Sequence, residues 1–202
     1  MPTILEVDKE TGEGLAFDFP LGWGVIKYDQ EADTATGTPA SFYRSIISDK
    51  GVKHIRGMDI VCRLPSEPRR LQFIESKDDR KRTMEAGERH TELYETVLRK
   101  TIGTLAGLTL AERLGDSSLR PMACLSQHPV IEVVLFLIEP PLAPRPRQSD
   151  RNELRRLVKE ESKVTLEQRL RSKLDLWNMP FHFYNLTTRR PILWQVRDLT
   201  IS

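Results

Sequence analysis

Residues 58–77 read MDIVCRLPSEPRRLQFIESK, and the fold turns on how this stretch pairs with itself. Two runs rich in apolar residues, 57–64 and 70–77, flank the turn-forming segment PSEPR. A hairpin centred on Glu67 sets Leu64 opposite Arg70, Val61 opposite Phe73 and Asp59 opposite Glu75. Directly opposed residues project to one face, with Cβ atoms about 4.5–5.5 Å apart. Lys77 joins that face because strand side chains alternate with a period of two. The other face receives Ile60 against Ile74 and Cys62 against Gln72. This register buries apolar pairs on both faces and gathers Asp59, Glu75 and Lys77 at one end.

Upstream, Pro39 after Thr38 has the pattern of a helix start. Phe42, Tyr43, Ile46 and Ile47 give that helix an apolar face, and it ends near Gly51. Farther upstream, 4–7, 15–19 and 23–28 read as strands separated by glycine and proline turns. Downstream, Tyr94, Val97, Leu98, Ile102, Leu105 and Leu108 repeat at helical spacing and predict a helix over about 91–114. Gly103 and Gly107 lie one turn apart, which lets that helix approach a sheet closely. VIEVVLFLIE (130–139) predicts a buried central strand, and PPLAPRPR after it an extended connector. Asp150 with Glu153 resembles a capping box opening one bent helix, or two, over 150–177. Stretches 181–184 and 192–196 read as a final hairpin.

The element order predicts an α/β protein. We expect an N-terminal β extension (1–38), a core of mixed sheet flanked by helices (39–140) and a basic C-terminal helix and hairpin (141–202) packed on that core.

Two carboxylates brought together by the hairpin repel unless a cation neutralises them. Mg²⁺ suits a site with few carboxylates, several waters and a substrate phosphate. Such an ion polarises a phosphodiester and activates water, and a neighbouring lysine stabilises developing negative charge. The chemistry suited to Asp59, Glu75 and Lys77 is therefore phosphodiester hydrolysis.

An Asp on one strand, followed by Glu75-Ser76-Lys77 on the next, resembles the PD-(D/E)xK nuclease superfamily with its restriction-endonuclease-like fold. The likeness spans roughly 39–140. It implies Mg²⁺, or Mn²⁺, held by Asp59, Glu75 and the Ser76 carbonyl, with Lys77 assisting the nucleophile. It also implies a DNA substrate, and a homodimer or partner protein where both strands are cut. Two departures stand out: Met58 replaces the motif's proline, and 39–48 lack the acid that many members carry on their first core helix. Asp78 and Asp79 offer an extra ligand or a turn. A catalytically inactive member of the same fold, acting as a DNA-binding or assembly subunit, is the alternative.

Charge distribution adds a candidate nucleic-acid surface. The chain carries only +2, yet 143–173 hold ten Lys/Arg against five acids. Arg151 and Arg155 there, with Arg80, Lys81 and Arg82 just after the motif, are candidate phosphate contacts. A solvated helix laced with ion pairs explains the same pattern. Hydrophobic residues at 39% and charged residues at 30% predict a folded domain. No apolar run approaches the roughly 20 residues that cross a bilayer. The N-terminus MPTILEVDKE has no export signal, and Cys62 and Cys124 form no CxxC pair, so we expect a cytoplasmic protein without a membrane partner.

Overall fold

The hairpin register holds pair by pair in the structure, from Leu64 opposite Arg70 to Ile60 opposite Ile74. The structure is a computed structural model that describes residues 1–7, 13–48, 55–66, 69–80, 86–139, 150–186 and 193–199. Its strands are β1 (Thr3–Val7), β2 (Gly14–Asp18), β3 (Gly24–Lys27), β4 (Ile60–Leu64), β5 (Arg70–Asp78), β6 (Val130–Ile138), β7 (Phe181–Tyr184) and β8 (Gln195–Asp198). Two long helices, α1 (Ala86–Leu114) and α2 (Asp150–Asp175), complete it, with a π-helical turn at Tyr43–Ser48.

The protein is α/β. Five strands form a mixed sheet in the order β3-β4-β5-β6-β7. β3, β4 and β5 run antiparallel, whereas β6 and β7 are added in parallel through α1 and α2. Alternation along the strands separates two cores. One face presents Val61, Phe73, Val133, Leu135 and Phe181 to Leu93, Val97 and Leu108 of α1 and Leu166, Leu170 and Leu174 of α2. The other presents Ile60, Cys62, Ile74, Val134 and Phe136 to Leu15, Phe17 and Trp194 of a second, antiparallel sheet, β1-β2-β8. The result is three layers: helices, mixed sheet, small sheet. Among the described residues, helices cover one face of this sheet, where the sequence suggested helices flanking the core.

Three expectations change. The final hairpin does not form: β7 pairs in parallel with β6, and β8 pairs with β2 instead. Phe181 and Phe183 need the helix-side core beside Val133 and Leu135, which only the α2 crossover reaches. β3, inside the expected N-terminal extension, pairs with β4, so the five-stranded sheet draws strands from all three expected segments. The helix expected from Pro39 begins later. The 33–38 loop closes on itself through Asp33 N–H to the Thr38 carbonyl (2.8 Å), and Ser41 Oγ then accepts the Arg44 N–H at 3.3 Å. Its expected end at Gly51, the hairpin turn at Glu67 and the 140–147 connector lie outside the described residues. Among the described residues, no helix is long and apolar enough to cross a membrane.

Candidate active site

Strand alternation puts Asp59, Glu75 and Lys77 on the helix-facing side of the sheet, the side of Val61 and Phe73. Asp59 precedes β4 and is fixed by its surroundings. Its carbonyl accepts the Tyr28 N–H at 2.8 Å, and the preceding Met58 N–H donates to Thr104 Oγ1 of α1 at 2.8 Å. The Ser76 N–H donates to Asp59 Oδ2 at 2.7 Å. N–H and C=O of one strand residue leave toward the same neighbour, so the Ser76 carbonyl also faces the Asp59 edge.

Lys100, which the sequence reading passed over, completes the cluster. Its ammonium lies 2.6 Å from Asp59 Oδ1 and 2.7 Å from Glu75 Oε2. Lys77 Nζ stands 2.6 Å from Glu75 Oε1. Two buried carboxylates are thus met by two ammonium groups. Both lysines approach Glu75 at short range, but neither of its oxygens receives an aligned hydrogen bond. Lys100 had a sequence signal: it lies on the buried stripe of α1 that runs Leu93, Val97, Thr101, Thr104 and Leu108.

Burial opposes ionisation of Asp59. The charges of Lys100 and Lys77, with hydrogen bonds from Lys100 and Ser76, outweigh it and hold the carboxyl below its usual range. Glu75, wholly buried, goes the other way: desolvation, then the charge of Asp59, pushes it up to about 7 against the pull of Lys100 and Lys77. Lys100 is held above the usual lysine range by Glu75 and Asp59, which overcome its own desolvation. Asp29 beside the cluster rises to about 6 through burial and the charge of Asp59. Opposite shifts on neighbouring carboxyls are the arrangement from which acid–base sites are built.

Above this floor opens a cleft of about 440 Å³. Arg44, Arg56, Lys77, Arg89 and Lys100 line it, against the acids Asp29 and Glu92. Several of these cations already have acidic neighbours. Arg44 approaches Glu31 (3.5 Å), and Arg89 donates to Asp79 (2.6 Å) and Glu92 (2.8 Å). Asp79 thereby ties the start of α1 to the end of β5 and is a structural anchor. Arg56 is exposed in the same lining.

The remaining candidates are placed differently. Arg80 donates to Asp78 (2.9 Å) and to Asp198 of β8 (2.5 Å), so its guanidinium bridges two strand ends. Lys81 and Arg82 lie outside the described residues. Arg151 and Arg155 fall in the first half of α2, where the backbone alone is described.

The donor set fits a small divalent cation. Asp59 and Glu75 already converge on one cationic group, the Lys100 ammonium, and the Ser76 carbonyl faces the same edge. Among the described residues, no group of three His, Cys, Asp or Glu forms a metal cluster. Mg²⁺ accepts so small a set because waters and substrate oxygens fill its octahedron. Binding there requires Lys100 to withdraw from between the two acids. Comparison with protein families, with curated proteins and with solved structures gives no match to this chain.

Proposed function

We propose that this cleft hydrolyses phosphodiester bonds, with DNA as substrate and Mg²⁺ or Mn²⁺ as cofactor. The observation that carries the reading is the convergence of Asp59 and Glu75 on Lys77 and Lys100, two lysines that line a cleft together with Arg44, Arg56 and Arg89. Asp59, Glu75 and the Ser76 carbonyl would hold the ion, which would supply polarisation of the phosphodiester and acidification of water. Lys77, a quarter exposed beside the cleft, orients the attacking water. Arg56 meets a phosphate of the substrate backbone. Lys100, once released, offers its charge to the developing negative charge on phosphorus-bound oxygens. DNA, rather than RNA, follows from the resemblance alone. So does pairing with a second copy or a partner protein for cutting both strands.

The test is cleavage of supercoiled, linear and single-stranded DNA, with an RNA arm, in Mg²⁺ or in chelator. We expect metal-dependent cleavage that Asp59→Asn and Lys77→Ala each reduce by at least ~100-fold. Undiminished cleavage in both variants would sink the proposal. One observation favours a second reading, a binding or assembly subunit on the same frame: Lys100 already neutralises both acids without metal. Metal-independent DNA binding, with every nucleic acid left intact, selects that reading.

A further inference from the structure

A second polar constellation joins α1, α2 and the end of β6. His90, 5% exposed, follows Arg89 on α1 but turns to different partners. Its Nδ1 is 2.6 Å from Ser162 Oγ on α2, and its Nε2 is 3.3 Å from Glu139 Oε1. A carboxylate only accepts hydrogen bonds, so the neutral ring carries its proton on Nε2. Nδ1 then has a free lone pair, and Ser162 Oγ–H donates into it. Hydroxyl, imidazole and carboxylate stand in the order nucleophile, base and orienting group. Lys163 Nζ lies 3.8 Å from the other carboxylate oxygen, Glu139 Oε2.

The hydroxyl borders space. A cavity of about 310 Å³ is lined by His90, Ser162, Thr165, Leu166 and Arg169 among others. The four α2 residues sit at i, i+3, i+4 and i+7, on one helix face. Helix-interior N–H groups are consumed by the helix, so an oxyanion here must be met by side chains. Arg169 stacks its guanidinium on the Tyr94 ring at 4.2 Å. Stacking uses the flat face and leaves the N–H edge for an acceptor.

The geometry points to a serine acyl-transfer centre at Ser162 that takes short-chain carboxylic esters. Ser162 Oγ attacks the ester carbonyl carbon as its proton passes to His90 Nδ1. Thr165 and Arg169 face the resulting oxyanion. The tetrahedral adduct collapses, the C–O bond to the alcohol breaks, and the alcohol leaves with the proton from His90. Water, deprotonated by His90, then cleaves acyl-Ser162 to release the acid and restore the hydroxyl. Leu166 lines the cavity beside the acyl chain, and a volume of about 310 Å³ accommodates a small ester.

The full chain is incubated with a fluorophosphonate probe and digested for mass spectrometry, and p-nitrophenyl acetate hydrolysis is followed in parallel. We expect one dominant adduct, on Ser162. Ser162→Ala abolishes both adduct and turnover, and His90→Gln slows labelling by ~100-fold or more. Ser162→Cys keeps the fold and moves the reactivity to a thiol-directed probe. Labelling and turnover persist in EDTA, which separates the centre from the metal-site proposal. No adduct on Ser162 in the wild-type chain, or ester hydrolysis equal in wild type and Ser162→Ala, overturns the inference. The Ser–His contact is then only a polar lock between two helices.

Discussion

Lys100 decides whether two acids can share the interior. Removing one partner of a buried ion cluster leaves charge uncompensated and typically costs about 3–5 kcal/mol. Lys100→Met should destabilise the fold by that order in urea unfolding. If the acids bind a divalent ion, Mg²⁺ should raise the Tm of Lys100→Met more than that of wild type, because no ammonium competes. Asp59→Asn in the same background should remove that gain. Glu75 gives a pH signature. Its folded carboxyl holds the proton more tightly than the unfolded chain, rising from 4.5 to about 7. Its contribution to stability is therefore full below about 4.5 and is lost as pH rises to about 7. A Tm series across that window should fall in wild type and flatten in Glu75→Gln. Asp59, Glu75 and Lys77 were legible in the sequence because strand alternation fixes which residues share a face. Lys100 was not, because its helix, 41 positions beyond Asp59, meets the strands only through tertiary packing; its one local trace is its place in the buried stripe.

At the scale of elements, α1 is the support for the whole cluster. A Cβ on Gly103 would lie 2.1 Å from the Arg56 carbonyl oxygen, and one on Gly107 would lie 2.0 Å from the Tyr28 hydroxyl. The first contact seats the 55–58 segment that leads into Asp59, and the second seats Tyr28, whose N–H bonds the Asp59 carbonyl. Alanine gains about 1 kcal/mol of helix propensity over glycine. A backbone overlap of this depth costs about 1–3 kcal/mol or more. Gly103→Ala should therefore lower Tm despite the better helix former, and it should weaken the proposed phosphodiester cleavage by shifting Asp59. Unchanged Tm and activity would show that the segment yields freely. The close approach was anticipated from two glycines one turn apart, but its partner was not. The start of the 43–48 turn was missed because a loop hydrogen bond at Asp33 and a cap at Ser41 outweighed the proline signal. The hairpin register was legible for the opposite reason: a slip of one residue would break the apolar pairs on both faces and turn Glu75 and Lys77 toward the small-sheet core.

For the molecule as a whole, Trp194 is the pin between sheets. It is buried at 3% exposure and contacts Phe17 and Phe136 at ring separations of 5.7 and 6.1 Å. Its Nε1–H donates to Gln72 Oε1 at 3.1 Å. Trp194→Ala should cost about 3–5 kcal/mol and leave Gln72 short of a donor. Denaturant unfolding followed by far-UV circular dichroism measures it; a loss well under 1 kcal/mol would mean the small sheet packs without this anchor. Sequence patterns located most strands but, beyond the β4–β5 hairpin, not their partners. Period-two alternation says that a strand has two faces; it does not say that β8 crosses the molecule to β2 while β7 stays beside β6.

That crossing has a cost in time. Asp18 and Arg197, hydrogen-bonded across β2 and β8, are separated by 179 positions. At the usual pace of translation, about 5–20 residues per second, β2 waits on the order of 10–40 s for its second neighbour to be made. Throughout that interval β2 offers an open edge, and Ile74, Val134 and Phe136, once made, lack the tryptophan that covers them. The nascent chain is therefore a natural client for a ribosome-associated chaperone, and its yield in cells should depend on that escort more than the equilibrium stability of the finished fold would suggest.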